Sequence, residues 1–168
     1  FPYTTLFRSL IEGGVDVGGA PFEGVHALDP AAHAFVGGAA FALPIAAAEP
    51  DRSAEKMRAD IESKTAKRIG ILIIDSHGRA WRNGTVGVAI GIAGIPGLED
   101  LRGREDLFGY KLQVTQVGVA DELAAAASLM MGQAAEGTPV VHVRGFPYPL
   151  REASMKELIR PKEQDLFR

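Results

Sequence analysis

The chain has 168 residues, of which 46% are apolar and 23% charged, and its net charge is −3, which together are typical of a folded globular protein. The charge balance gives no sign of the clustered basic surface that binds nucleic acid, and the absence of cysteine excludes disulfides and thiolate metal sites. The longest uncharged apolar run, Ala34 to Ala48, is shorter than the roughly 20 residues of a membrane helix. We therefore expect neither nucleic acid nor a membrane as a partner, and a cytoplasmic location.

The N-terminal part of the chain supports few structural predictions. Residues 1–9 look like translated sequencing-adapter DNA, and they are set aside from the fold. Residues 10–24 are rich in glycine and contain Asp16, and residues 25–48 are dominated by alanine and glycine. No helix or strand is predicted in this part.

From residue 50 onward the hydrophobic pattern is clear. Apolar residues recur at helical spacing to about residue 65, which predicts an amphipathic helix with Asp51 or Ser53 as its N-cap. The isoleucine-rich run Ile69 to Ile74 predicts a buried strand that ends at Asp75.

The second half alternates strands with helices in part only. From Val86 to Ala93, large β-branched residues alternate with Gly and Ala, which predicts a strand with one face open to the close approach of a backbone or a ligand. A half-exposed strand is predicted from Leu112 to Val119, then a helix capped by Asp121 and ended by Gly132. The remaining predicted elements are a strand over 139–143 and a short helix over 154–160. Because two strands follow one another without a helix between them, the predicted fold class is α+β (mixed α/β).

Asp75 and Ser76 are the first candidate functional residues. They follow an apolar strand, and ligands of open α/β sheets collect at the carboxyl ends of the strands. Carboxylate and hydroxyl oxygens are ligands that suit Mg²⁺ or Mn²⁺. The alternative interpretation is a turn aspartate that hydrogen-bonds its own backbone. The residues alone leave both interpretations open.

Two further segments are candidates for binding anions. Arg79 and Arg82 could hold a phosphate or a carboxylate, or could form a solvated basic turn. The loop 131–138 contains two glycines, and its backbone N–H groups could face a phosphate. Its ordinary alternative is a helix C-cap followed by a turn into the next strand. The sequence contains no P-loop, nucleophile elbow or histidine zinc motif.

Several stretches together resemble the coenzyme F420-0:L-glutamate ligase (F420 gamma-glutamyl ligase) family. They are Ile71 to Gly94, Asp100 to Tyr110, and Val119 to Gln133 with Val140 to Gly145 after it. Their order and spacing match the family over roughly residues 50–168. The resemblance implies the fold of that family and a GTP-dependent ligase of coenzyme F420 biosynthesis. In that reaction an acyl phosphate forms on the precursor F420-0, and L-glutamate then displaces the phosphate.

The resemblance also implies a set of site residues. Asp75 lies at the position of a metal-binding aspartate, Ser76 at a neighbouring hydroxyl ligand, Gln133 at a third ligand and Asp16 at another metal aspartate. The implied GTP loop is Met131, Gly132, Gln133, Ala134, Ala135, Glu136, Gly137 and Thr138. The implied ions are Mg²⁺ or Mn²⁺, with K⁺ as a further candidate, and the implied assembly is a homodimer. The asparagine that the family places near the nucleotide is Gly19 here.

The resemblance divides the chain into three parts. We expect residues 1–9 to be an artefact, residues 10–49 a poorly matched remnant of an N-terminal part, and residues 50–168 the C-terminal portion of a ligase domain. We expect this fragment alone to be inactive. Two alternatives remain open: a non-catalytic module that binds nucleotide or the F420 precursor, and a related ligase that joins another acid and amino acid.

Overall fold

The computed structural model describes residues 33–38 and 49–165. Two 3₁₀ turns, Met155–Glu157 and Lys162–Gln164, follow the last strand. The helices and strands in chain order are β1 His33–Gly38, α1 Pro50–Thr65, β2 Ile69–Arg79, β3 Arg82–Ala93, β4 Glu99–Asp100, β5 Gln116–Val117, α2 Val119–Met131 and β6 Val140–Arg144. This combination of helices and small sheets confirms the predicted α+β class.

The main sheet has four strands in the order β3-β2-β1-β6. β1 runs parallel to β2, whereas β3 and β6 are antiparallel to their neighbours. β4 and β5 form a separate two-stranded sheet. β1 was not predicted from the sequence, because this six-residue strand ends in two glycines, and glycine is depleted in strands.

Helices cover both faces of the main sheet. Ile69, Ile71 and Ile73 pack with residues of α1, and Leu72 and Ile74 pack with residues of α2. Because successive side chains of a strand point to opposite faces, the first half of β2 is buried on both sides. Double burial explains why this strand is a continuous apolar run and not an alternating one.

Two glycines of β3 allow the helices to approach closely. A Cβ added at Gly87 would lie 2.6 Å from the carbonyl oxygen of Ala124 in α2, and one added at Gly91 would lie 2.6 Å from the carbonyl carbon of Pro50 in α1. The predicted close approach to this small-residue strand is therefore confirmed. The approaching backbones are two helices of the same chain.

The outer edge of β3 is covered by polar side chains from the helices. Three N–H groups of this edge strand donate to them: Gly87 to Ser128 Oγ at 3.3 Å, Ala89 to Asp121 Oδ1 at 2.9 Å, and Ile92 to Asp51 Oδ1 at 2.9 Å. An edge strand with free donors would be a template for pairing with another chain. These contacts occupy three of the donors and hold both helices against the sheet.

The predicted N-caps of both helices are wrong. The N-caps are Glu49 and Gly118, and neither makes a side-chain capping bond. Asp51 and Asp121 lie in the first helical turns, where their carboxylates accept hydrogen bonds from β3. Negative charge in a first turn still interacts favourably with the helix dipole. Gly132 ends α2 as predicted, with φ of 74°.

Most of the strand predicted from Leu112 to Val119 is absent. Only Gln116–Val117 is a strand, and residues 101–115 form an arm that is held by backbone hydrogen bonds across it. Leu107 and Phe108 at its tip are 98% and 94% exposed. The alternating pattern failed here because burial does not follow it: Val114, for example, is 84% exposed. The short helix predicted over 154–160 is a single 3₁₀ turn.

No helix in the described ranges is both long and apolar enough to cross a membrane.

Candidate functional site

The first candidate residues lie on the exposed half of the β2–β3 hairpin. β2 is buried from Ile69 to Ile74 and exposed from Asp75 to Arg79. The strand does not end at Asp75, as the sequence predicted, but continues to Arg79 and returns as β3. Asp75 therefore lies where the buried half of the strand meets solvent.

The carboxylate of Asp75 accepts one hydrogen bond, from the backbone of the next residue. Its Oδ1 accepts a hydrogen bond from the N–H of Ser76 at 2.7 Å. Within residues 33–38 and 49–165, no salt bridge involves this carboxylate. A carboxylate that bonds its own backbone is what the alternative interpretation predicts, although the residue lies in a strand and not in a turn. An exposed carboxylate without an ion-pair partner is also what a cation ligand requires.

Ser76 and Gln133 are 57 positions apart in the sequence but are in contact in the structure. The hydroxyl of Ser76 donates to Oε1 of Gln133 at 2.5 Å. Ser76 is paired with Gly87, which faces α2, and Gln133 lies just beyond the end of α2. The packing of α2 on Gly87 is therefore what places the loop after this helix against the hairpin.

The predicted metal ligands do not form one preformed cluster. Ser76 is on the α2 side of the hairpin, so the side chain of Asp75, its neighbour in the strand, projects from the opposite face. Asp16 lies outside the described residues. In the described part of the chain, no group of three or more His, Asp or Glu side chains could hold a metal ion. A cation here would depend on carboxylate, hydroxyl and amide oxygens, which are the hard donors that Mg²⁺ and Mn²⁺ accept.

The loop after α2 is closed on itself by Glu136. Oε2 of Glu136 accepts a hydrogen bond from the N–H of Ala134 at 2.8 Å. The side chain lies directly over Gly132, so that a Cβ added there would come within 2.5 Å of the same oxygen. The N–H groups of Ala134 and of Glu136 itself hold the pKa of the Glu136 carboxyl below its ordinary value. The loop therefore has backbone donors for an anion, and they bind the carboxylate of the chain itself.

The other predicted loop residues have different environments. Met131 is the last residue of α2 and is buried in the core, whereas residues 133–137 are exposed and Thr138 is half-buried. Gly132 and Gly137 have φ of 74° and 68°, a backbone conformation that glycine adopts without strain. The C-cap predicted as the ordinary alternative is present, and it coexists with the exposed donors of the loop.

Arg79 and Arg82 lie opposite each other at the tip of the hairpin, and both are exposed. Trp81 between them is 89% exposed and has φ of 57°. Directly paired residues of like charge repel each other unless an anion lies between them. Their role in binding an anion stays a prediction.

Comparison with known proteins identifies the family. The sequence model of the F420-0:Gamma-glutamyl ligase family matches residues 35–145. The chain belongs to this family. It is 54% identical over 119 residues to the coenzyme F420:L-glutamate ligase of Methanococcus maripaludis strain C6, 53% identical over 119 residues to that of Methanocaldococcus jannaschii, and 48% identical over 120 residues to that of Archaeoglobus fulgidus.

The match to the F420 ligases covers part of each relative. Each of these alignments covers 71% of this chain and 48% of the relative, so the chain spans about half the length of the curated relatives that it matches. The matched region contains all the candidate residues from Asp75 to Thr138. The resemblance inferred from the sequence is confirmed at the level of the family.

Proposed function

We propose that the protein is part of a ligase that joins L-glutamate to the F420 precursor F420-0 and that uses GTP as the source of energy. Membership of the F420-0:Gamma-glutamyl ligase family supports this proposal, as does the name of the relatives, coenzyme F420:L-glutamate ligase. The observation that carries it is the contact of Ser76 with Gln133 at 2.5 Å, because it unites two distant motifs beside Asp75.

The proposed reaction has two steps. A carboxylate oxygen of F420-0 attacks the γ-phosphorus of GTP, the bond from that phosphorus to the β-phosphate oxygen breaks, and GDP leaves. The amino nitrogen of glutamate then attacks the acyl carbon, the bond between that carbon and the phosphate oxygen breaks, and the nitrogen loses a proton. The products are an amide, GDP and inorganic phosphate.

Mg²⁺ or Mn²⁺, when bound, would neutralise the charge that develops on the phosphates. Ser76 and Gln133 are the described residues whose oxygens lie together and would hold such an ion. Asp75 would be a third ligand once its side chain turned toward them from the opposite face of the hairpin. Asp16 is proposed as a further carboxylate ligand. K⁺ as a second kind of cation, a homodimer and a cytoplasmic location are further parts of the proposal.

The phosphate groups are assigned to the loop after α2. The N–H of Ala134 already binds one anionic oxygen, so it can bind another when that oxygen leaves. Arg79 and Arg82 are proposed to hold an anionic group of a substrate, since two exposed guanidiniums lie opposite each other beyond Asp75.

Binding of Mn²⁺ to the chain of 168 residues tests the cation site. Asp75→Asn removes a charged ligand, and we expect Mn²⁺ affinity to fall by at least about tenfold, the loss that is usual even for groups that only support a metal ligand. The measurement is the electron paramagnetic resonance signal of free Mn²⁺ during a titration. Asp60→Asn is the matched control, because Asp60 is an exposed carboxylate on α1.

The activity itself is tested with the full-length gene product. Incubation with GTP, Mn²⁺, L-glutamate and F420-0 is expected to give a product that is heavier by one glutamyl unit, and Asp75→Asn is expected to abolish it. Full activity of the variant would contradict the proposed site. Binding of GDP without any product would favour the non-catalytic module, and a product with another amino acid would favour a related ligase.

A further inference from the structure

Glu136 occupies the donors of the loop to which it belongs. Its carboxylate accepts a hydrogen bond from the N–H of Ala134, and its side chain folds back over Gly132. The position is exposed, so the contact is not forced by packing in the core. The lowered pKa of Glu136 agrees with a carboxylate that is held in its charged form by these donors.

The presence of this carboxylate is unexpected in a loop that should receive phosphate. A phosphate oxygen can reach the N–H of Ala134 only after the carboxylate of Glu136 has left. The displaced carboxylate remains on the same short loop and repels the incoming charge. Glu136 therefore opposes the binding of a polyphosphate in two ways, through a competing hydrogen bond and through like-charge repulsion.

A cation beside the loop would remove the repulsion. Gln133 is the residue before Ala134, and its amide oxygen is held by Ser76 at the position proposed for the cation. A divalent ion there would attract both the polyphosphate and the released carboxylate. Without such an ion, the charge of Glu136 would oppose the binding of phosphate.

We propose that Glu136 is an internal competitor for phosphate, which closes the loop in the absence of ligand and makes polyphosphate binding depend on a divalent cation. This inference rests on the proposed function, because it assumes that the loop receives phosphate. It assigns to Glu136 a role in specificity: the loop discriminates against polyphosphate that is not accompanied by a metal ion.

The test follows the backbone amide resonance of Ala134 in the ¹⁵N-labelled chain of 168 residues. Inorganic triphosphate is titrated with Mg²⁺ and, separately, with a chelator. Without Mg²⁺, Glu136→Gln is expected to bind triphosphate about tenfold more tightly than the unchanged chain, because a charge-assisted hydrogen bond no longer competes. With Mg²⁺ the difference is expected to shrink. Glu55→Gln is the matched control, since it removes the same charge from an exposed position on α1.

Three outcomes would overturn the inference in distinguishable ways. Equal affinities of the unchanged chain and Glu136→Gln without Mg²⁺, with Ala134 responding in both, would refute the competition and leave the proposed function intact. An Ala134 resonance that does not respond to triphosphate or GTP with Mg²⁺ in any variant would refute the phosphate loop itself. An unchanged Ala134 resonance in ligand-free Glu136→Ala would show that the carboxylate does not make this contact in solution.

Discussion

Gly87 is the point at which the main sheet meets α2, so Gly87→Ala tests how the fold positions the candidate site. A Cβ at this position would lie 2.6 Å from both the carbonyl oxygen of Ala124 and Cβ of Ser128. Neither neighbour is the end of a flexible side chain, and both belong to the body of the helix. The added methyl group can therefore be accommodated only if α2 moves away from the sheet.

The size of the effect follows from this geometry. Inserting a methyl group into a close-packed contact typically reduces the free energy of unfolding by about 1–3 kcal/mol. The hydrogen bond from Gly87 N–H to Ser128 Oγ, 3.3 Å long, would weaken as well. For a chain of this size we expect a fall in melting temperature of about 2–12 °C.

The matched control is Gly78→Ala on the same hairpin. A Cβ at Gly78 would have no heavy atom within 4 Å, so this substitution is expected to be neutral or to stabilise the chain by up to about 1 kcal/mol. Thermal unfolding followed by circular dichroism compares the two variants. Because α2 leads into Gln133, hydrogen exchange in the loop after α2 should also rise in Gly87→Ala. A melting temperature equal to that of Gly78→Ala would refute the close contact and the positioning argument that depends on it.

Three further changes have expected outcomes. Asp121→Ala removes the acceptor of the Ala89 N–H, so urea denaturation should show a loss of about 1–3 kcal/mol in the free energy of unfolding. Arg151 is the main cause of the lowered pKa of Glu157, so ionised Glu157 stabilises the fold above its ordinary pKa of 4.5. This stabilisation is lost as the pH falls through the folded-state pKa. The melting temperature of Glu157→Gln should therefore depend less on pH below 4.5 than that of the unchanged chain. Ser76→Ala removes the hydroxyl that holds the loop after α2, so amide hydrogen exchange there should accelerate, with a change of at most about 1.5 kcal/mol in overall stability.

Each of these changes has a control in the chain. Glu122→Gln is the control for Asp121→Ala, Glu163→Gln for Glu157→Gln, and Thr85→Ala for Ser76→Ala, since all three control residues are exposed. A variant that behaves like its control would contradict the contact concerned. An unchanged pH dependence for Glu157→Gln would mean that its carboxylate is not ionised preferentially in the folded state.

The helices and the central strand were predictable from local sequence. The isoleucine run of β2 and the helical spacing of α1 reflect burial of whole faces, which leaves a strong pattern in the sequence. β1 was missed, and residues 112–119 were assigned as a strand that the structure shows only at Gln116–Val117. β1 pairs with β2 and β6, which lie far along the chain, and the local pattern does not contain that information. In residues 112–119 the alternating pattern is not matched by burial, since Val114 is 84% exposed.

The candidate site was predictable only in part. The resemblance pointed to Asp75, Ser76 and Gln133 and to the loop after α2, but not to the way in which Glu136 closes that loop. The only sign of this contact in the sequence was Glu136, a glutamate between Gly132 and Gly137 in the loop proposed to bind phosphate. A carboxylate in such a loop is chemically ambiguous, because it can bind a cation or compete with an anion, and only its contact with Ala134 distinguishes the two.

The sequence by itself determined the family, the α+β class and the residue types available for a cation and a phosphate, because these depend on composition, periodicity and the order of motifs along the chain. Only the tertiary structure decided that Ser76 contacts Gln133 while Asp75 faces away from both. The physical reason is that this contact depends on how closely α2 packs against Gly87. Ser76 and Gln133 are 57 positions apart, so the sequence around either residue does not reveal that packing distance.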